Sequence, residues 1–100
     1  MEQGVEKKLK EIKETFKKYG AVRAFLFGSA VSGTFSEKSD IDFLFSFPDD
    51  MDYETYANNY FSLLDALRQL LNREIDLVAE KTLKNPYLLE SINASKIQLL

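Results

Sequence analysis

The stretch over residues 25–47, FLFGSAVSGTFSEKSDIDFLFSF, constrains the chain more than any other. One apolar run ends in Gly28-Ser29, a polar segment follows, and a second apolar run opens at Asp40-Ile41-Asp42. Ten residues lie between Ser29 and Asp40. Short aromatic and aliphatic runs bounded by glycine, proline and small polar residues read as buried strands. Period-two alternation puts Asp40, Asp42, Leu44 and Ser46 on one face of the second strand, and Ile41, Phe43, Phe45 and Phe47 on the other. The fold must therefore set a glycine turn and a carboxylate pair facing each other across two neighbouring strands.

The flanking segments supply the layers. Val5, Leu9, Ile12, Phe16 and Tyr19 fall in steps of four and three, the spacing of one helical face. Gly20 stands where a helix-ending residue at positive φ is expected. Residues 21–27 read as the first strand. Residues 29–32 allow one helical turn, ended by Gly33-Thr34, with a loop over 35–39. The second strand covers 40–47 and stops at Pro48-Asp49-Asp50. A long helix is predicted over 53–71, with Asp52 as its N-cap and a stripe through Tyr53, Tyr56, Tyr60, Leu63, Leu64, Leu67, Leu70 and Leu71. Asn72-Arg73 turns the chain into a third strand over 74–79, with Asp76 in its middle. Asn85 caps a helix that has Pro86 at its first position and runs to about residue 93; residues 96–100 read as a last short strand. This order predicts an α+β fold, a small mixed β-sheet flanked by helices, in one domain over residues 1–100.

Composition narrows the chemistry. The chain has no His and no Cys. Disulfides, thiolate sites and imidazole bases are excluded, so any metal must be hard and held by oxygen. A net charge of −3 argues against direct nucleic-acid binding. Six lysines on the first helix (Lys7, Lys8, Lys10, Lys13, Lys17 and Lys18) are interleaved with glutamates and read as a solvated face. No apolar run approaches the ~20 residues that span a bilayer. The first fourteen residues, MEQGVEKKLKEIKE, lack the apolar core of a signal peptide, so a cytoplasmic chain with no membrane contact is expected.

Asp40 and Asp42 share a strand face, and two unpaired carboxylates beside an apolar sheet repel each other and resist desolvation. A divalent cation resolves the conflict: Mg²⁺ takes one or two carboxylates together with substrate phosphates. Asp76 is a lone acid among Ile75, Leu77 and Val78 and joins the pair if its strand lies beside the second. A glycine after a strand, followed by a helical turn, offers free backbone N–H groups to phosphate, to which the Ser29 hydroxyl adds a further hydrogen bond. Each feature alone has a plain reading: an exposed turn, a strand end, an edge charge. Together they describe nucleotidyl transfer, in which positioning and charge stabilisation do the catalysis. A dehalogenase-type nucleophile fits worse, because it follows its strand. A calcium loop fits worse too, because it needs more oxygen ligands and a glycine just after the pair.

The pattern Gly28-Ser29, ten residues, Asp40-x-Asp42, with a later Asp76, resembles the GS-x10-DxD signature of minimal nucleotidyltransferases in the DNA polymerase β-like superfamily. The resemblance runs over nearly the whole chain. It implies Asp40 and Asp42 as metal ligands, Asp76 as the third acid of the catalytic set, Gly28 and Ser29 as the phosphate contact, Mg²⁺ or Mn²⁺ as the metal and ATP as the donor. It also implies a small helical HEPN-type partner in a toxin–antitoxin pair, in which the nucleotidyltransferase is the antitoxin and transfers AMP to a tyrosine of the toxin. The sequence departs from the family at Ala30 and Ser32, where arginine is common; Lys38 is the nearest substitute cation. The alternative expectation is therefore a module that neutralises its partner by binding alone. A small-molecule modifier is a third, which would need an added acceptor domain.

Overall fold

A computed structural model of the chain describes residues 3–32 and 40–100. Its elements are α1 (Gln3–Lys7), α2 (Leu9–Lys18), β1 (Arg23–Phe27), α3 (Ser29–Ser32), β2 (Ile41–Ser46), α4 (Tyr53–Leu71), β3 (Ile75–Ala79), a 3-10 turn (Glu80–Thr82), α5 (Pro86–Ser95) and β4 (Ile97–Gln98). The expected stop at Gly33-Thr34, the loop over 35–39 and Lys38 lie outside the described residues.

Among the described residues the strands form one mixed sheet in the order β3-β2-β1-β4. β1 runs antiparallel to β2 and to β4, while β2 and β3 are parallel. A parallel pair needs a crossover, and α4 supplies it. The α+β expectation thus describes the fold. One sheet face carries the main core: Ala24 and Leu26 of β1, Ile41, Phe43 and Phe45 of β2, and Ile75 and Leu77 of β3 meet Val5, Ile12 and Phe16 of the first two helices and Leu63 and Leu67 of α4. Phe16 meets Phe43 edge to face, centroids 5.4 Å apart. On the opposite face Phe25, Leu44 and Ile92 of α5 form a smaller cluster, margined by Phe27, Val78 and Leu83. α5 therefore covers the middle of that face. The end that carries Asp42 and Asp76 stays partly open, with Asp42 half-buried and Asp76 exposed.

Local chemistry explains most boundaries. Gly20 ends α2 at φ +91°. The N–H of Ala21 donates to the carbonyl of Phe16 (3.0 Å), so the first strand starts at Arg23 and not at residue 21. β2 likewise begins one residue late, where the Ile41 N–H first meets the carbonyl of Glu74 (3.1 Å), and Asp40 stands just outside it. The long helix occupies the predicted span, capped by the Asp52 side chain at Thr55 N–H and ended by Asn72 in the left-handed region at φ +52°. Tyr53 is a correction. Helical spacing puts it on the apolar stripe, but it is 88% exposed. The first helix is also broken at Lys8, whose ammonium donates to the carbonyl of Leu70 (2.8 Å) and ties the junction to the end of α4.

Asn85 accepts from the N–H groups of Tyr87 (3.0 Å) and Leu88 (3.3 Å) at the start of α5. Asn85→Ala is expected to lower stability by about 1 kcal/mol, and Asn85→Asp to keep it, since aspartate preserves the acceptor and suits a helix N-terminus. Urea unfolding of the two variants checks both signs. No helix among the described residues is long and apolar enough to cross a membrane.

Candidate active site

The site is built at the end of β1. Gly28 follows Phe27 with φ +76°, in the left-handed region that side chains resist. The turn leads into α3, where the Val31 N–H donates to the Gly28 carbonyl (3.1 Å). A Cβ on Gly28 would collide with Oδ2 of Asp42 and lie 3.0 Å from its Cγ. Only glycine lets this turn and that carboxylate come together.

Sheet register does the rest. Phe27 pairs with Asp42 across the antiparallel β1–β2 ladder, and Asp42 pairs with Asp76 across the parallel β2–β3 ladder. Directly paired residues project to the same face, so the two carboxyl groups stand side by side. Asp42 is pushed up to about 6 from the ordinary 3.8, first by burial, then by the charge of Asp76, a hydrogen bond with the Asp76 carboxyl and the charge of Asp40. Gly28, Ser29, Asp42 and Asp76 are thus gathered at one end of the sheet. Asp40 is exposed at its rim, close enough to act on Asp42 by charge.

The donor set fits a hard divalent cation. Burial, Asp76 and Asp40 all raise the Asp42 carboxyl, and a metal bound by oxygen would relieve the charge that Asp42 and Asp76 concentrate. The fit rests on this pair: among the described residues no three acidic, His or Cys side chains are already gathered as a ligand shell.

Sequence reasoning missed the wall beside the turn. Phe27, Gly28 and Ser29 line a cleft of about 410 Å³ whose far side is Leu88, Ser91, Ile92 and Ser95 of α5. It also missed Lys96. The β1–β4 register, Phe25 with Gln98 and Leu26 with Ile97, extends to set Lys96 opposite Phe27. Its ammonium lies 4.1 Å from the Phe25 ring centroid, on the face of Asp42, and among the described residues it has no carboxylate partner. Ser91 and Ser95 are ordinary residues of an exposed helix face in the sequence, and their place beside Gly28 is a tertiary contact. Ala30, one of the positions where the resembled family has arginine, is buried in the main core.

A family profile described as polymerase beta, nucleotidyltransferase, matches residues 10–100. The chain belongs to the polymerase β nucleotidyltransferase family. This nucleotidyltransferase is 34% identical over 99 residues to a Methanocaldococcus jannaschii protein named as a candidate protein adenylyltransferase, which covers 91% of this chain and 97% of the relative. It is similar to a solved structure of a candidate minimal nucleotidyltransferase, with a TM-score of 0.75, 30% identity and coverage of 97% of this chain and 95% of that chain. In fold alone the nucleotidyltransferase is also similar to a chain in the complex of a tri-AMPylated Shewanella oneidensis HEPN toxin with an MNT antitoxin. There the TM-score is 0.65 and the identity 20%, covering 95% of this chain and 71% of that chain.

Proposed function

We propose that this nucleotidyltransferase transfers AMP from ATP to a hydroxyl of a protein acceptor, with Asp40, Asp42 and Asp76 as its acidic centre and Gly28 and Ser29 as its phosphate contact. The observation that carries the reading is the register of Asp42 with Asp76, held against a glycine turn that tolerates no side chain. Asp42 and Asp76, completed by Asp40, would hold Mg²⁺ or Mn²⁺, which supplies charge neutralisation to the triphosphate when bound. The backbone N–H groups after Gly28 and the Ser29 hydroxyl hold phosphate oxygens. The acceptor oxygen bonds to the α-phosphorus, the bond to the β-phosphate bridge breaks, and pyrophosphate leaves. Asp76, the exposed member of the pair, orients the acceptor hydroxyl and takes its proton.

The acceptor we propose is a tyrosine of a small helical HEPN-type partner, which this chain would restrain as an antitoxin. The fold likeness to an MNT antitoxin bound to an AMPylated HEPN toxin supports it. So does the open end of the sheet, where an acceptor's own surface can complete the site. Incubating the chain with ATP, Mg²⁺ and its co-purified partner is expected to add AMP to a partner tyrosine, read by mass spectrometry. Omitting the metal is expected to remove the adduct. A co-purifying partner that gains no AMP would overturn the reading. The buried Ala30 favours a second reading, neutralisation by binding alone, because it leaves one usual arginine position turned inward. Under that reading Asp42→Asn would protect cells from the partner as well as the parent does.

A further inference from the structure

We propose that the cleft between α5 and the Gly28-Ser29 turn seats the nucleoside of the triphosphate donor, and that Ser91 and Ser95 set which nucleoside is accepted. The inference rests on the donor reading above. Gly28 and Ser29 belong to the cleft wall, so a nucleotide whose phosphates lie on that turn has its organic part in or beside the cleft. The volume of about 410 Å³ lies within the range of small-molecule sites.

The lining selects the chemistry. Phe27, Leu88 and Ile92 offer apolar surface, and Ser29, Ser91 and Ser95 offer hydroxyls; no lining residue is charged. Beyond the glycine turn, such a wall holds a phosphate chain or a bare cation poorly. It suits a neutral, flat heterocycle with a hydroxylated sugar, which needs apolar contact on its faces and a few hydrogen bonds at its edges. Ser91 and Ser95 are four residues apart on α5 and face the same way. The Ser95 hydroxyl donates to the Ser91 carbonyl at a long 3.4 Å, a weak bond that a ligand can replace. Among the described residues the Ser91 hydroxyl has no protein partner. The wall itself is fixed: Asn85 caps α5 at one end, β4 anchors it at the other, and Ile92 is buried between. Another hollow, about 460 Å³ between α4 and β3, is lined by Tyr53, Tyr60, Phe61 and their neighbours and includes none of the acids and neither residue of the glycine turn.

Titration calorimetry of the full chain in Mg²⁺, with ATP and with inorganic tripolyphosphate, tests the assignment. Ser91 and Ser95 are exposed, so Ser91→Trp and Ser95→Phe fill the cleft without removing core. Each is expected to weaken ATP at least about tenfold and leave tripolyphosphate unchanged, while Glu90→Trp, on α5 outside the cleft, changes neither. The double variant Ser91→Ala/Ser95→Ala, which removes only hydroxyls, is expected to change the ratio of ATP to GTP affinity at constant tripolyphosphate affinity. Unchanged ATP affinity in both filled variants overturns the proposal. Equal weakening of ATP and tripolyphosphate also overturns it, because the cleft then holds phosphate. A parent chain that binds neither probe defeats the donor reading itself, a result distinct from the other two.

Discussion

Asp42→Asn is expected to lower nucleotide transfer by roughly a thousandfold and, at neutral pH, to make the folded chain more stable than the parent. The two effects have one cause. Burial and the neighbouring acids lift the Asp42 carboxyl to about 6 in the folded chain, against 3.8 for the ordinary group. Because the folded value is the higher one, the contribution of Asp42 to stability is most favourable below pH 3.8 and is lost as pH rises through 6. Fully shielded from water, that rise would be worth about 3 kcal/mol. Asp42 is only half-buried, and solvent screening brings the effect to on the order of 1 kcal/mol. Asparagine keeps the shape and a hydrogen bond for Asp76 and removes the charge. Urea midpoints of parent and variant should therefore separate at pH 7.5 and converge near pH 4. A variant less stable than the parent at pH 7.5 would mean that the carboxylate pair is not strained. Saturating Mg²⁺ should close the gap from the other side, by stabilising the parent alone.

Gly28→Ala is expected to destabilise the chain by about 1–2 kcal/mol and to cost roughly a hundredfold in transfer. The stability loss comes from placing a Cβ at φ +76°. The activity loss comes from the collision with Oδ2 of Asp42, which pushes the carboxylate away from Asp76. A double-mutant cycle separates the two: in an Asp42→Ala background the φ term remains and most of the collision disappears. If Gly28→Ala costs the same in both backgrounds, the contact with Asp42 has no energetic weight.

The parts of the molecule that were legible in the sequence are those set by near neighbours. The long helix was read to its ends because Asp52 and Asn72 are local punctuation, and α5 because Asn85-Pro86 is a local start signal. Tyr53 misled because helical spacing places it on the apolar stripe, while exposure is decided by tertiary packing that spacing does not carry. In the site, Asp40, Asp42 and Asp76 stood out because a carboxylate is anomalous in an apolar strand. Whether Asp42 meets Asp76 is a question of sheet order, which the ladder answers. Ser91 and Ser95 gave no signal, since serine on an exposed helical face is ordinary. Lys96 was hidden for the same reason as the cleft: the two-residue β4 returns to pair with β1, a contact across more than seventy residues.

The parallel pairing of β2 with β3 also dictates when this acidic centre can exist. The β1–β2 ladder joins segments close in sequence, whereas Asp42 meets Asp76 only after the intervening chain has closed and α4 has docked across the sheet. Closing so long a loop is slow relative to pairing near neighbours. The repulsion between the two acids is accordingly absent until β3 has joined β2. A repulsion absent from the folding transition state shortens the lifetime of the native state more than it slows folding. A cation that bridged the acids would act as a latch on the finished molecule.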